Sequence, residues 1–335
     1  MRAAAERLAR RWWAGELGTA GRALSALSAP VSWGWSALHA ARRRTTVPER
    51  VPGLRVVSVG NLAVGGTGKT PITRWVAAEL HASGVATCVL VGSHAADEAE
   101  LHRRWNASVP VRVGRDRRAS AERAHAAGAR VAVLDDGFQH VALARDLDLV
   151  LVSADDPFPG AVLPRGPYRE PADALARADA VVVTRRSAPP DRAHAVADLV
   201  QGYCGGRPPG MVSLEPGALV GPDGTPSVVP CDVLAVCAIA RPDTFARAVQ
   251  GAVRGEVELA AFADHHRYGR EDVRTLRRRA RGRALVVTEK DAVKLEPWIE
   301  ELGGLHVLPD RLRWERGESE VRGLLRRTVV QADAA

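Results

Sequence analysis

The sequence predicts an α/β protein built on a doubly wound, mainly parallel sheet, with a second, smaller α/β domain and amphipathic helices at the N-terminus. Three observations carry this. From Arg55 onward, short β-branched runs alternate with helical stretches, the pattern of parallel strands joined by crossover helices. One of those runs ends in Gly65-Gly66-Thr67-Gly68-Lys69-Thr70, a glycine-rich turn opening a helix. Residues 1–45 have a Trp- and Arg-rich composition that the rest of the chain lacks.

The N-terminal stretch holds Trp12, Trp13, Trp33 and Trp35, half of the eight tryptophans, interleaved with Arg2, Arg7, Arg10, Arg11, Arg22 and the run Arg42-Arg43-Arg44. Leu8 and Trp12, then Leu24, Leu27 and Val31, follow helical spacing, and Pro30 divides the stretch into two helices. An apolar face with Trp beside a basic set suits a helix lying in a lipid headgroup layer. The other reading is that these helices simply pack on the domain behind them. No run of about 18 apolar residues spans a bilayer and the start lacks the apolar segment of a signal peptide, so the expectation is a cytoplasmic protein.

The predicted strands of the main sheet are Arg55–Gly60, Thr87–Val91, Val109–Val113, Val131–Asp135, Leu147–Ser153 and Ala180–Thr184. After the first, Gly65, Gly66, Thr67, Gly68, Lys69 and Thr70 read as a phosphate-binding loop of the P-loop NTPase type. Backbone N–H groups and the helix N-terminus cradle phosphates, Lys69 bridges the β- and γ-phosphates, and the Thr70 hydroxyl holds Mg²⁺. The G-x-x-x-x-G-K-[ST] expression itself fails, because Ala63 stands where its first glycine belongs. The strand Val131–Leu134 runs into Asp135 and Asp136, the form of a segment whose acid anchors the Mg²⁺ shell. Thr288-Glu289-Lys290-Asp291 places Lys directly before Asp and so is not the N-K-x-D guanine signature, which favours ATP.

A Gly/Pro-rich zone over Gly205–Gly210 and Pro216–Pro226 reads as a linker. Beyond it Val233–Ala238, Glu256–Phe262, Leu285–Thr288 and Leu305–Leu308 form the smaller unit. The organisation expected is N-terminal helices over 1–45, a nucleotide-binding core over 46–210, a linker over 211–230 and a second domain over 231–330. Cys88, Cys204, Cys231 and Cys237 form no C-x-x-C pair and read as reduced, buried thiols, without a zinc site.

The net charge of +8 suits a nucleic-acid binder, a membrane-surface protein or an enzyme with an anionic substrate. Lys occurs only at Lys69, Lys290 and Lys294, so 44 of the 47 basic residues are Arg and a retained Lys points to a need for a compact ammonium. No aromatic-basic recognition motif lies outside the N-terminal stretch, which argues against nucleic acid.

Leu134-Asp135-Asp136-Gly137-Phe138-Gln139-His140 resembles the tetraacyldisaccharide 4'-kinase family, and the likeness extends both ways. It takes in Val59-Gly60-Asn61, the loop through Pro71, Val113-Gly114-Arg115-Asp116-Arg117 and Arg145-Asp146-Leu147-Asp148-Leu149. It continues through Leu163-Pro164-Arg165-Gly166-Pro167-Tyr168-Arg169-Glu170-Pro171, Ala238-Ile239-Ala240-Arg241-Pro242, Phe262-Ala263-Asp264-His265-His266 and Val287-Thr288-Glu289-Lys290-Asp291. The resemblance implies transfer of the γ-phosphoryl group of ATP to the 4'-hydroxyl of a tetraacyldisaccharide 1-phosphate, giving lipid IVA. It also implies an N-terminal helix resting on the cytoplasmic face of the inner membrane; no obligate protein partner is inferred.

By the same resemblance the catalytic base is Asp97, in Ala96-Asp97-Glu98-Ala99, supported by His265, with Lys69 and Asp136 completing the catalytic set. Asn61 joins the nucleotide-binding loop. Thr70, Asp135 and Asp136 are the metal set, and Gln139, His140, Arg169 and Glu170 face the substrate. From the residues alone, Asp97 also fits a solvated acidic helix and His265 a polar turn, while Lys290 and Lys294 also fit a solvated face. Leu90-Val91-Gly92-Ser93-His94-Ala95 replaces the family's S-R-G-Y-G-R segment. The rival readings are a P-loop ATPase that switches or inserts a cofactor without a sugar acceptor, and a nucleic-acid module.

Overall fold

The structure is a computed structural model that describes residues 2–93, 95–229 and 231–333, the side chains of 2–7 and 331–333 excepted. The side chains of Arg2 and Arg7, and His94, lie outside the described residues. The chain divides into two compact units, one of Ala5–Ser213 with Leu312–Ala335, the other centred on Leu214–Arg311.

The larger unit opens with α1 (Arg2–Trp13), α2 (Gly18–Leu27) and α3 (Ala29–Thr45). Three helices stand where two were expected. Gly15 and Gly18 adopt φ of +79° and +53°, a left-handed conformation open to glycine at little steric cost, and break the first helix. Pro30 then sits in the first turn of α3, where its missing N–H is not needed.

The alternation predicted from Arg55 follows: β1 (Arg55–Asn61), α4 (Lys69–Ala82), β2 (Thr87–Gly92), α5 (Ala96–Trp105), β3 (Val111–Gly114), α6 (Arg117–Ala126), β4 (Val131–Asp135), β5 (Leu147–Ser153), β6 (Ala180–Arg185), α7 (Pro190–Tyr203) and β7 (Gly210–Pro216). The smaller unit holds β8 (Val233–Cys237), α8 (Pro242–Ala252), β9 (Val257–Ala261), α9 (Arg270–Ala280), β10 (Ala284–Thr288), α10 (Glu289–Leu295), α11 (Ile299–Leu302) and β11 (His306–Leu308). The chain ends with β12 (Asp310–Arg316) and α12 (Glu318–Asp333).

The main sheet runs β12-β7-β6-β5-β1-β4-β2-β3. Its central strands β1, β4 and β5 are buried along almost their whole length, as expected where helices cover both faces of a parallel sheet. Register places the site. Val59 lies beside Asp135, so the loop leaving β1 and the acidic end of β4 emerge side by side at the C-terminal rim. Leu90 of β2 lies beside Leu134, so α5 starts from the same rim, which is where doubly wound sheets bind ligands.

Two expected boundaries shift. The linker over 211–230 begins with a strand: Met211, Val212 and Leu214 of β7 are buried to 1%, 0% and 2% exposure in the main sheet. The second domain does not run to 330, because β12 and α12 belong with the larger unit, where Trp314 packs on Trp75 of α4 and Arg322 pairs with Glu79. The smaller unit is a parallel sheet ordered β11-β10-β8-β9, with Leu234, Val236, Leu276 and Val287 fully buried in its core. Cys88, Cys204 and Cys237 are buried as expected, whereas Cys231 is exposed just before β8.

Candidate active site

The loop between β1 and α4 is held open by its own sequence. Gly65 and Gly68 take φ of +114° and +88°, and Gly68 caps α4 in a left-handed conformation. Asn61 is fully buried below the loop, and its amide donates to the Ala63 carbonyl and to Thr67 Oγ1, both at 2.7 Å. Its nitrogen is thus committed to shaping the loop, which makes Asn61 a brace beneath that loop. Thr184 of β6 adds a second brace, donating to the Thr67 carbonyl at 2.9 Å.

Lys69 and Thr70 open α4, and Lys69 Nζ lies 3.7 Å from Asp136 Oδ1. Asp136 adopts a left-handed φ of 59° just past β4 and receives Arg169 Nη1 at 3.0 Å on each oxygen. Burial pushes the Asp136 carboxyl up, but Lys69 and Arg169 outweigh it and hold it below the usual carboxylate range. Arg117, at the start of α6, is 9% exposed and adds its charge to the same acids; burial pulls its pKa down and the attraction of Asp135 and Asp136 opposes that.

Asp135 accepts a 2.9 Å hydrogen bond from, or shares one with, His102 Nε2 through Oδ2, while its buried Oδ1 has no protein partner. An orphaned carboxylate oxygen at the end of β4, on the sheet rim from which the glycine-rich loop leaves β1, fits Mg²⁺, which binds through one or two protein oxygens plus substrate phosphates. Among the described residues there is no cluster of three or more His, Cys, Asp or Glu that could hold a metal ion.

Arg169 and Glu170 arrive on the loop Leu163–Pro171. Its Tyr168 bridges antiparallel to Ala63, Val64 N–H donates to the Pro167 carbonyl at 2.7 Å, and Arg169 N–H donates to the Leu62 carbonyl at 2.6 Å. Glu170, expected to face substrate, is 1% exposed and bonded to Arg43, Arg177 and Gln139. It anchors the loop instead. Gln139 is spent likewise, on the Asn61 carbonyl, Glu170 and Arg169. Burial and the nearby Arg117, Arg145 and Arg42 keep the His140 imidazole below its ordinary pKa, so it is neutral at pH 7, and its buried Nε2 has no protein partner.

Asp97 lies in the first turn of α5, half-buried, its Oδ1 accepting from the Glu98 N–H at 3.1 Å. The helix that carries it also carries His102, five residues on, roughly 7 to 8 Å of helix rise. The structure therefore ties α5 to the end of β4. His265 belongs to the smaller unit, on the turn after β9, with φ of 58° and its N–H donating to the Ala238 carbonyl at 3.2 Å. In that unit Asp291 is fully buried and accepts from the Ala238 N–H, the Tyr268 hydroxyl and the Thr288 hydroxyl. Lys294 reaches it at 3.5 Å and is 10% exposed, so it is not part of a solvated face.

His102, Arg43 and Arg177 were not among the residues expected in the site. Only His102 carried a local signal, a His on the helical stretch that holds Asp97.

The tetraacyldisaccharide-1-P 4'-kinase family model matches residues 24–100 and 92–329. Tetraacyldisaccharide 4'-kinase from Anaeromyxobacter dehalogenans (strain 2CP-C) is 37% identical over 92% of this chain and 90% of the relative. The enzyme of that name from Rhodospirillum centenum is 35% identical over 92% and 93%. Among solved structures, LpxK from Aquifex aeolicus in complex with ATP superposes with a TM-score of 0.67 at 22% identity, over 91% of this chain and 99% of that one, a likeness of fold.

Proposed function

We infer the reaction from a fixed premise, that this chain belongs to the tetraacyldisaccharide-1-phosphate 4'-kinase family. It is an ATP-dependent kinase that transfers the γ-phosphoryl group to the 4'-hydroxyl of a tetraacyldisaccharide 1-phosphate, forming lipid IVA in lipid A biosynthesis. The observation that carries this reading is the grouping of Lys69 and Arg169 on Asp136 at the mouth of the glycine-rich loop. Phosphoryl transfer demands little covalent work from a protein and much charge placement. Lys69, Arg169 and Arg117 are the cations for the phosphates, and Gly65, Gly66, Thr67 and Gly68 supply backbone donors.

Thr70, Asp135 and Asp136 would supply the protein oxygens for Mg²⁺, which would neutralise phosphate charge. Asp97 takes the proton of the 4'-hydroxyl as that oxygen bonds to the γ-phosphorus and the bond to the β,γ-bridging oxygen breaks, releasing ADP. The family resemblance assigns His265 to the support of that base. His140, neutral and with a free ring nitrogen, is the candidate for a hydrogen bond to substrate.

The helices α2 and α3 rest on the cytoplasmic face of the inner membrane. Leu27, Val31, Trp33 and Leu38 are 79%, 60%, 70% and 65% exposed, beside the exposed Arg42 and Arg44. Such a surface supports an interfacial site for an acylated substrate. No helix among the described residues is long and apolar enough to cross a membrane.

The test is a labelled-ATP assay with tetraacyldisaccharide 1-phosphate in detergent micelles, comparing wild type with Lys69→Ala and Asp97→Ala. Acceptor-dependent label transfer that collapses in both variants is expected. Transfer by wild type to water alone would replace the kinase with an ATPase, and an active Asp97→Ala would remove only the assigned base.

A further inference from the structure

The N-terminal helices grip the loop that delivers Arg169. One face of α3, at positions 32, 35 and 43, meets Leu163–Pro171 and its approach with polar contacts throughout. Ser32, 4% exposed, donates to the Val162 carbonyl at 3.1 Å and accepts from the Arg165 N–H at 3.4 Å. Trp35 Nε1 donates to the Arg169 carbonyl at 3.0 Å. Arg43 Nη1 pairs with the buried Glu170 at 2.5 Å. From α1, Trp13 Nε1 donates to the Pro164 carbonyl at 2.9 Å.

A membrane anchor needs none of this. An anchor has only to present apolar surface outward, as Val31 and Leu38 do. The inward bonds fall instead on the main chain of Arg169 and the carboxylate of its neighbour, and Arg169 is the residue whose guanidinium spans Asp136 and Gln139. The same loop bonds to Leu62 and Val64, the first arm of the glycine-rich turn. A displaced Glu170 would release Gln139, and with it a bond to the Asn61 carbonyl.

We propose that Trp35 and Arg43 are positioning residues that couple α3 to Arg169, so that the N-terminal helices set turnover as well as location. The proposal rests on the kinase reading above. Placement of a transition-state cation to within a fraction of an ångström matters more to the chemical step than to ATP binding. A shift in the loop therefore lowers kcat more than it raises KM.

The experiment compares wild type, Trp35→Phe, Arg43→Gln and Arg43→Lys on two acceptors, the micellar tetraacyldisaccharide 1-phosphate and a water-soluble short-chain analogue. Trp35→Phe keeps an aromatic ring, though a smaller one, and removes the N–H donor, and Arg43→Lys keeps the charge. The expected result is a fall in kcat of roughly ten-fold to hundred-fold for Trp35→Phe and Arg43→Gln on both acceptors, with the KM for ATP little changed and partial recovery in Arg43→Lys. Amide exchange at Val64 and Arg169 should quicken in the same two variants. A loss confined to the micellar acceptor would make the helices an anchor only and overturn the proposal, as would wild-type kcat with unchanged exchange. If wild type transfers nothing, the kinase reading falls, and the exchange data alone decide the coupling.

Discussion

His102 Nε2 lies 2.9 Å from Asp135 Oδ2, with both side chains buried to 2% exposure or less. The bond joins α5 to the end of β4, across 33 residues of sequence. Replacing His102 with Leu leaves a buried carboxylate with neither oxygen partnered by protein. Leaving a buried acceptor without its partner costs about 1 to 3 kcal/mol, and more for a charged one, so His102→Leu should lower the urea midpoint, and His102→Gln, which keeps a donor, much less. A loss in His102→Leu below about 0.5 kcal/mol would mean that the bond carries no weight in the fold.

Asp136 makes a pH-dependent contribution with a defined sign. Its folded pKa is depressed despite burial, through Lys69 and Arg169, so its stabilising effect is complete above the ordinary carboxylate pKa and is lost as pH falls through the folded value. In urea unfolding, the difference between wild type and Asp136→Asn should stay level from pH 8 to 5 and shrink only below about pH 4. A difference that vanishes near pH 6 would contradict the pairing. Lys69→Ala, in turn, should lose roughly 10²- to 10³-fold in kcat, the usual cost of one preorganised charge partner.

Much of this architecture is local and therefore readable. The β-branched runs of β1, β4 and β5 and the strand-turn-helix around Gly65–Thr70 follow from residue type alone. The strand β7 was hidden because Gly210 and Pro216 bound only a short apolar run, Met211 to Leu214, in a Gly/Pro-rich zone. The strand β12 reads Asp-Arg-Leu-Arg-Trp-Glu-Arg, an edge strand at one end of the sheet order whose charges mask its alternation. The contacts His102 to Asp135 and Arg43 to Glu170 join residues 33 and 127 apart, and nothing in their own neighbourhoods specifies a partner. Glu170 reads as substrate-facing in sequence for the same reason, since burial comes from three elements that meet only in the fold.

Thiol reactivity should separate the four cysteines. Burial pushes Cys88 and Cys237 up to about 12, and Cys204 upward as well, whereas Cys231 is exposed. The thiolate is the reacting form, so iodoacetamide at pH 8 should modify one thiol in the native protein and four in urea. Mass spectrometry of digested protein locates the label. Rapid native labelling at Cys88 or Cys237 would show that the strands β2 or β8 open readily.

Gly60 and Gly66 make opposite predictions although both belong to one glycine-rich segment. A Cβ on Gly60 would stand 2.5 Å from Phe138 Cβ and 2.7 Å from its backbone nitrogen, and Phe138 is fully buried. The backbone atom cannot step aside without moving Gly137, whose N–H donates to the Val59 carbonyl at 3.1 Å, and with it the turn that aims Asp136 at Lys69 and Arg169. Gly60→Ala should therefore cost about 1 to 3 kcal/mol of stability and reduce kcat together. A Cβ on Gly66 meets nothing within 4 Å and its φ is not in the left-handed region, so Gly66→Ala should stay within about 0.5 kcal/mol of wild type in unfolding. Urea denaturation of both variants decides the matter, because equal stabilities would mean that the turn after β4 yields to the added methyl and does not depend on close approach to β1.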